Sequence, residues 1–380
     1  MHRKLRMGMV GGGPGAFIGE VHRIAARLDG KIELVCGVFS TDPEKNRSMA
    51  GKLFLPEEKC YPDYKTMFRE ESRLPEGERM DFVAITVPNA MHFKIAAAAL
   101  EHGFHVVCEK PMTLNLKEAL LLREKVRSSG LLFALMHNYS AYPMIRQMRQ
   151  MIADGKLGSL RKVVASYELG WLAAPNAGKQ ASWRVNPQMS GIAACVGDIG
   201  THAEHLIEFV TGLKITELLA DLSTFVEGRV LDDDATILLH FENGAKGVIE
   251  LSEVACGEEN RFDLRIYGSK GCLEWSQQNP EDLVWKTNDA AMKVLRRSWA
   301  EMDDSLKVFC RLPAGHPEGF IEAFANIYQD FANALAAYID GRKYESSFPT
   351  VEDGVRGMNF IETAVRSSKD HTKWWKLDCF

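Results

Sequence analysis

Asp198 and His202 stand four residues apart in "GDIGTHAEHLIEFV", so on a helix they share one face, one turn from each other. Ile199, Ala203, Leu206 and Val210 form a neighbouring apolar stripe that would seat this helix on a core. An acid and an imidazole beside a buried stripe are placed to line a cleft, and histidine exchanges a proton near neutrality. The plainer alternative is a helix-capping aspartate and an ordinary hydrogen-bonded histidine. His205 continues the row, but no further acid–histidine set supplies a third or fourth ligand, so no metal site is expected.

A second stretch, "HVVCEKPMT" (105–113), runs three strand-forming residues straight into Glu109, Lys110 and Pro111. A strand apolar on both faces is a buried one. Desolvating charge at its end is costly, so the acid and the base there call for an explanation. A third stretch, "MVGGGPGAFIGEVHR", places glycines at 11, 12, 13, 15 and 19 after the first strand and before a helix. Such a turn lets the backbone approach a pyrophosphate and aims a helix N-terminus at its charge. Gly11 and Gly13 fit the dinucleotide fingerprint, but five residues separate Gly13 from Gly19. Read strictly, the third glycine position is Ala16, and the lengthened loop is expected to bulge, with Pro14, Gly15, Ala16, Phe17 and Ile18 covering the phosphates.

The second strand ends "GVFSTDPEKNR", with Ser40 where the acid for an adenosine ribose usually stands. Asp42 is better placed as a helix cap. Ser40 with Lys45 or Arg47 suits a 2′-phosphate, and equally Lys45 and Arg47 read as solvated helix charges, so NAD and NADP both remain open. Val87, Pro88 and Asn89 in "TVPNAMH" end a strand at the sheet edge where ligands bind, and they are assigned to the cofactor. His92 is grouped with them as a hydrogen-bonding residue at a helix start rather than as a catalyst.

The elements that must position these groups alternate strictly in the first half. Strands are expected at "RMGMVGG", 32–40, 81–87, 104–109 and 131–137, the last taken as the sixth of a six-stranded sheet, with amphipathic helices between them. That pattern predicts an α/β, doubly wound parallel sheet over residues 1–140. Residues 141–380 read as an α+β substrate-binding and oligomerisation domain. One helix, around 198–212, is expected to precede a large open, mostly antiparallel sheet, and two long helices, about 318–341 and 351–367, to follow it.

At 380 residues two domains are the default. The net charge of −5 leaves no basic footprint for nucleic acid or an anionic membrane. The apolar runs are too short for a transmembrane helix, and the glycines follow the first basic residues without an h-region, so no signal peptide is expected. Eight cysteines are scattered singly, and most, such as Cys36 and Cys108 inside apolar strands, read as buried free thiols of a cytoplasmic protein.

Together these residues resemble the Gfo/Idh/MocA family, the glucose–fructose oxidoreductase and inositol dehydrogenase group. The glycine loop, "EKP" at 109–111, and "WR" at 183–184 followed by "GDIGTH" at 197–202 carry the likeness, with "TVPNAMH" and "FPTVEDG" (348–354) in support. The resemblance implies that Lys110, Asp198 and His202 lie around a substrate beside the nicotinamide. It also implies a cis Lys110–Pro111 bond, Glu109 at the cofactor's ribose, and Trp183 and Arg184 near nicotinamide and substrate. A cationic nicotinamide beside Lys110 would favour the neutral amine and suit it to proton transfer. Tyr139 and His316 are further candidates for substrate contact.

The implied reaction is NAD(P)-dependent hydride transfer to or from a secondary alcohol of a sugar, glycoside or inositol. No basic cluster marks a phosphorylated substrate. The alternatives are a glycoside 3-oxidase type of enzyme holding its cofactor tightly, and a non-catalytic sensor of the same fold. An open sheet with an apolar face would call for a homodimer or homotetramer.

Overall fold

In the computed structural model residues 3–175, 178–371 and 373–380 are described, and the chain divides into two compact units. Unit 1 comprises Met1–Met136 and Phe324–Val355, and unit 2 comprises His137–Ala323 and Arg356–Phe380.

Unit 1 alternates as the apolar runs require. In order it holds β1 (Leu5–Gly11), α1 (Phe17–Leu28), β2 (Ile32–Val38), α2 (Pro43–Lys52), α3 (Tyr64–Glu71), β3 (Phe82–Thr86), α4 (His92–Glu101), β4 (His105–Cys108), α5 (Leu116–Ser129) and β5 (Phe133–Leu135). The strands form one parallel sheet in the order β2-β1-β3-β4-β5. Every residue of β3, β4 and β5 is buried, which is why these segments are continuously apolar. Asp42 caps α2 by accepting from the Glu44 and Lys45 amides, with Pro43 at the first helical position. The sheet has five strands, not six, and 131–137 supplies the fifth. Between β2 and β3 the polar run Glu57–Lys59 makes only a 3-10 turn, and a single bridge, Gly37 to Cys60, reaches the sheet.

Unit 2 follows with α6 (Pro143–Ala153), β6 (Leu160–Glu168), α7 (Lys179–Arg184), α8 (Pro187–Ser190), a π-helical turn (Val196–Gly200) and α9 (Thr201–Thr211). Then come β7 (Ile215–Ser223), β8 (Asp234–Phe241), β9 (Lys246–Ser252), β10 (Arg261–Gly268), β11 (Cys272–Ser276), β12 (Asp282–Lys286) and β13 (Lys293–Arg296). After α10 (Phe320–Ile339) and α11 (Val351–Lys369), β14 (Trp375–Lys376) completes a nine-stranded sheet, β13-β12-β11-β10-β6-β9-β8-β7-β14. β6 precedes α9 instead of following it, and it pairs in parallel with β9, so the sheet is mixed. Burial alternates along β8 and β10: Ala235, Ile237, Leu239, Phe262, Leu264 and Ile266 point inward, while Thr236, Arg261 and Arg265 point out. The open face carries an apolar row in register across the strands, Leu219, Leu238, Val248, Val164, Val284 and Val294, interrupted by Arg265 and Glu274 and flanked by polar residues.

The return of the chain to unit 1 was not anticipated by a boundary at 140. Phe331 of α10 packs on Phe82 of β3, and Leu135 donates its amide to the Pro349 carbonyl at 2.8 Å. Those contacts fold residues 324–355 onto the parallel sheet. Among the described residues no helix is long and apolar enough to cross a membrane, and the eight cysteines are free thiols.

Candidate functional site

β1 ends in the glycine loop. A Cβ on Gly13 would sit 2.2 Å from the Phe39 carbonyl oxygen, so this turn presses against the end of β2 and admits no side chain. The Ala16 amide donates to the Gly13 carbonyl at 3.0 Å, closing the turn, and α1 starts at the next residue. A Cβ on Gly19 would lie 2.2 Å from Gly12 Cα. Gly19, not Ala16, therefore fills the third glycine role of close packing between loop and helix. Pro14 and Gly15 are the inserted turn, and a cleft of about 880 Å³ opens beside Gly13–Phe17, between residues of β2, α1 and α2. A side-chain-free turn aimed into a helix start fits a dinucleotide pyrophosphate.

At the end of β2, Ser40 Oγ accepts from the Asp42 amide at 3.1 Å. The Asp42 carboxyl lies below its ordinary range, chiefly because the Lys45 amide donates to it. Exposed Lys45 holds its ammonium 3.6 Å from the same carboxylate. No acid other than this helix cap stands at the position of the missing one.

At the end of β4 the Lys110–Pro111 peptide bond is cis. Glu109 is buried: Oε1 lies 2.7 Å from His22 Nε2, and Oε2 accepts from the Lys110 amide at 3.1 Å. The carboxylate thus faces α1 and its own backbone. His92 is fully buried, with Nδ1 at 2.8 Å from the Pro111 carbonyl and Nε2 at 2.8 Å from that of Val87. Burial lowers its pKa, so a neutral ring donates to one of two waiting carbonyls. It ties the end of β3 to the lysine–proline turn. Pro88 and Asn89 open a 3-10 turn (Asn89–Met91) directly after β3. The segment "FPTVEDG" buttresses the same turn: a Cβ on Gly354 would collide with the Met112 side chain.

In unit 2, Asp198 sits not in an α-helix but in the π-helical turn Val196–Gly200, and His202 lies in the first turn of α9. The widened turn changes the simple one-face relation, and such turns recur at functional sites. Arg184 Nε donates to Asp198 Oδ2 at 2.7 Å, both groups being about one-fifth exposed. Its guanidinium lies 4.4 Å from the Trp183 ring centroid and 5.4 Å from that of Trp171. The tryptophan–arginine pair is therefore brought to the carboxylate.

His202 is 6% exposed, its ring edge-on to Tyr139 at 4.8 Å and to His137 at 5.5 Å. The Tyr139 hydroxyl is 2.6 Å from that of Tyr167, which donates to Asn260 Oδ1 at 2.7 Å. Burial pushes Tyr139 up to about 12. Its hydroxyl is engaged by Tyr167 and its ring walls one side of His202. His316 is exposed in a loop, and its carbonyl, not its ring, is engaged, by Arg297. Among the described residues no three His, Cys, Asp or Glu side chains gather for a metal ion.

Sequence reasoning missed Asp232. Its two carboxylate oxygens accept from the Ala194 and Val196 amides at 2.7 and 2.8 Å, and its carbonyl accepts from Cys195. Burial pushes this carboxyl up while the two amides pull it down. The acid holds the start of the turn that carries Asp198, from 34 positions away in sequence. Asp232→Ala leaves two buried N–H groups without acceptors, an expected loss of about 2–4 kcal/mol of stability. Urea unfolding checks this, and a loss under about 1 kcal/mol would remove the role.

The comparisons with known proteins agree with this geometry. Residues 5–137 match the oxidoreductase family with an NAD-binding Rossmann fold, and residues 145–274 match the GFO/IDH/MocA C-terminal domain. The class is thus an NAD-binding oxidoreductase with a Rossmann half and a sheet-bearing second half. The chain belongs to the Gfo/Idh/MocA family. It is 35% identical to the uncharacterized oxidoreductase YfiI of Bacillus subtilis (strain 168), over 98% of this chain and 96% of that protein. An oxidoreductase from Sinorhizobium meliloti is 42% identical, covering 98% of this chain and 100% of its own, with a TM-score of 0.89. An inositol dehydrogenase homolog from Azotobacter vinelandii, complexed with NAD⁺, is 35% identical over 99% and 98% of the chains, with a TM-score of 0.95. The same protein complexed with NADH and myo-inositol superposes with a TM-score of 0.92.

Proposed function

We propose that this chain is an NAD(P)-dependent dehydrogenase for a secondary alcohol of an unphosphorylated sugar, glycoside or inositol, working in the cytoplasm. The observation that carries the reading is Asp198, fixed by Arg184, in the turn leading directly to the buried edge of His202. The glycine loop supplies the cradle for a dinucleotide, and a bound nicotinamide supplies a hydride acceptor at C4. His202, assisted by Lys110, takes the hydroxyl proton of the reacting carbon, and in reverse both donate to the forming alkoxide. Asp198 accepts a hydrogen bond from a neighbouring substrate hydroxyl. Arg184 is already neutralised by Asp198, which speaks against a phosphate there. The myo-inositol held by the Azotobacter relative supports a polyol.

The test is near-ultraviolet absorbance of reduced nicotinamide, with NAD⁺ or NADP⁺ and a panel of inositols, free sugars and glycosides. Growth with one class establishes the reaction and decides what Ser40 permits. Silence across the panel, with no nucleotide released from denatured protein, sinks the reading.

We also propose a homodimer or homotetramer joined through the open sheet face. Exposed Leu238 and Val294 lie among charges of both signs there, including the Lys286–Glu274 pair, a surface suited to a two-fold copy. Light scattering is expected to give a multiple of the chain mass, and a monomer at micromolar concentration removes the proposal.

A further inference from the structure

α2 buries Met49, Ala50 and, between the charged Lys45 and Arg47, the carboxamide of Asn46, which is 4% exposed. A buried amide is costly unless its hydrogen bonds are made. Its Oδ1 accepts from the Phe39 amide at 2.7 Å and, at the longer distance of 3.4 Å, from the Ser40 amide. Its Nδ2 donates to the Tyr61 carbonyl at 2.8 Å, and the Tyr61 amide in turn donates to the Gly37 carbonyl of β2 at 3.0 Å. A reversed carboxamide would set N–H against N–H and oxygen against oxygen, so these partners fix its orientation. Phe39 follows Val38, the last paired residue of β2, and its ring is buried in a cluster with Met9, Met49 and Ala50. A buried ring fixes the side chain but leaves the following peptide plane able to turn. That plane is trans, so it carries the Phe39 carbonyl on one edge and the Ser40 N–H on the other. The carbonyl oxygen is the atom that a Cβ on Gly13 would meet at 2.2 Å. An acceptor at the N–H edge therefore holds the carbonyl edge against the glycine turn.

We propose that Asn46 is a positioning residue for the adenosine end of the dinucleotide. It sets the spacing between the turn after β1, which meets the pyrophosphate, and the end of β2, where folds of this kind hold the adenosine ribose. Pyrophosphate and ribose are joined in one ligand and must be met together, so a strand end free to drift costs affinity through lost preorganisation. Asn46 acts through the Phe39–Ser40 peptide and not through a contact of its own. The inference rests on the turn after β1 being the pyrophosphate cradle.

The test is a double-mutant cycle on NADH affinity, read by fluorescence titration of the full chain. Asn46→Ala is expected to weaken NADH about tenfold, the scale of one hydrogen bond. ADP, which carries the ribose and diphosphate without the nicotinamide, should weaken by the same factor. Gly13→Ala alone should cost about 10²-fold, because the Phe39 carbonyl cannot turn aside. In the Asn46→Ala background that carbonyl is released, and the same methyl should cost about tenfold or less. Glu71→Gln is the control. Glu71 is fully buried and accepts from Lys59, the Tyr61 hydroxyl and the Met80 amide, so this change loosens the same region without touching Phe39. It should leave NADH affinity within about twofold of the parent. Penalties that simply multiply in the double variant, an unchanged ADP affinity in Asn46→Ala, or an equal loss in Glu71→Gln would each overturn the proposal. Gly13→Ala binding NADH as the parent does defeats the cradle itself, a result distinct from a multiplicative cycle.

Should Asn46→Ala fail to unfold cooperatively, hydrogen exchange of the parent, resolved to single amides, decides. The Phe39 and Ser40 amides lie beyond the paired part of β2 and must exchange slowly, and saturating NADH must slow them at least about tenfold further. Exchange at the rate of an unstructured peptide, or no response to NADH, overturns the inference.

Discussion

Replacing Lys110 with methionine should leave nucleotide binding intact and reduce turnover by about 10²–10⁴-fold, the usual contribution of a positioned proton donor or acceptor. Methionine keeps the length and apolar stem of lysine but carries no proton. Lys110 is half-buried at the end of β4, and the elements that cradle the nucleotide (the turn after β1 and the start of α1) make their close contacts without its side chain. The cis Lys110–Pro111 bond and the His92 bridge to the Pro111 carbonyl involve only main chain on the β4 side. Fluorescence titration with NADH separates the two effects. Turnover within tenfold of the parent would remove Lys110 from the chemistry. Loss of NADH affinity in parallel with turnover would make the lysine a cofactor ligand instead.

The groups read most easily from sequence were those whose function depends on neighbours along the chain. A glycine turn, a charged strand end and an Asp-x-x-x-His row each fit within fifteen residues, so residue type and spacing were enough to single them out. What holds those groups in place is non-local. Glu109 meets His22 from 87 positions away, and His22 meets Tyr328 from 306. No spacing rule connects such residues, because a third element has to fold before they touch. The return of residues 324–355 to the parallel sheet was hidden for the same reason. The π-helical turn under Asp198 was illegible in another way: it differs from an α-helix only in which carbonyl each amide finds, and composition carries no mark of that. Ala16 was misread because the fingerprint counts positions, whereas the constraint is contact with Gly12, and an inserted turn moved that contact to Gly19. Tyr139 was singled out from its place at the sheet edge, but its hydroxyl partner, Tyr167 on β6, is 28 positions away and no spacing rule connects the two.

The same distinction between spacing and contact gives the second large expected effect, in Gly13→Ala. The new methyl carbon would lie 2.2 Å from the Phe39 carbonyl oxygen, nearly an ångström inside any distance that real Cβ atoms show. Phe39 cannot yield easily: its amide is held by Asn46 Oδ1 at 2.7 Å, and Asn46 is a buried residue of α2. The loop must move instead, by about 1 Å, and a displacement of that size in a positioning element costs about 10²-fold. NADH affinity is expected to fall by about that factor, equivalent to about 2.7 kcal/mol. Gly51→Ala provides the control. Gly51 lies in α2 with open space where a Cβ would go, so alanine there should leave affinity unchanged and add up to about 1 kcal/mol of stability through helix propensity. If Gly13→Ala binds NADH as the parent does, the turn after β1 is not the pyrophosphate cradle and the nucleotide must enter elsewhere. If both variants lose affinity equally, the effect belongs to the stability of unit 1 rather than to the shape of its loop.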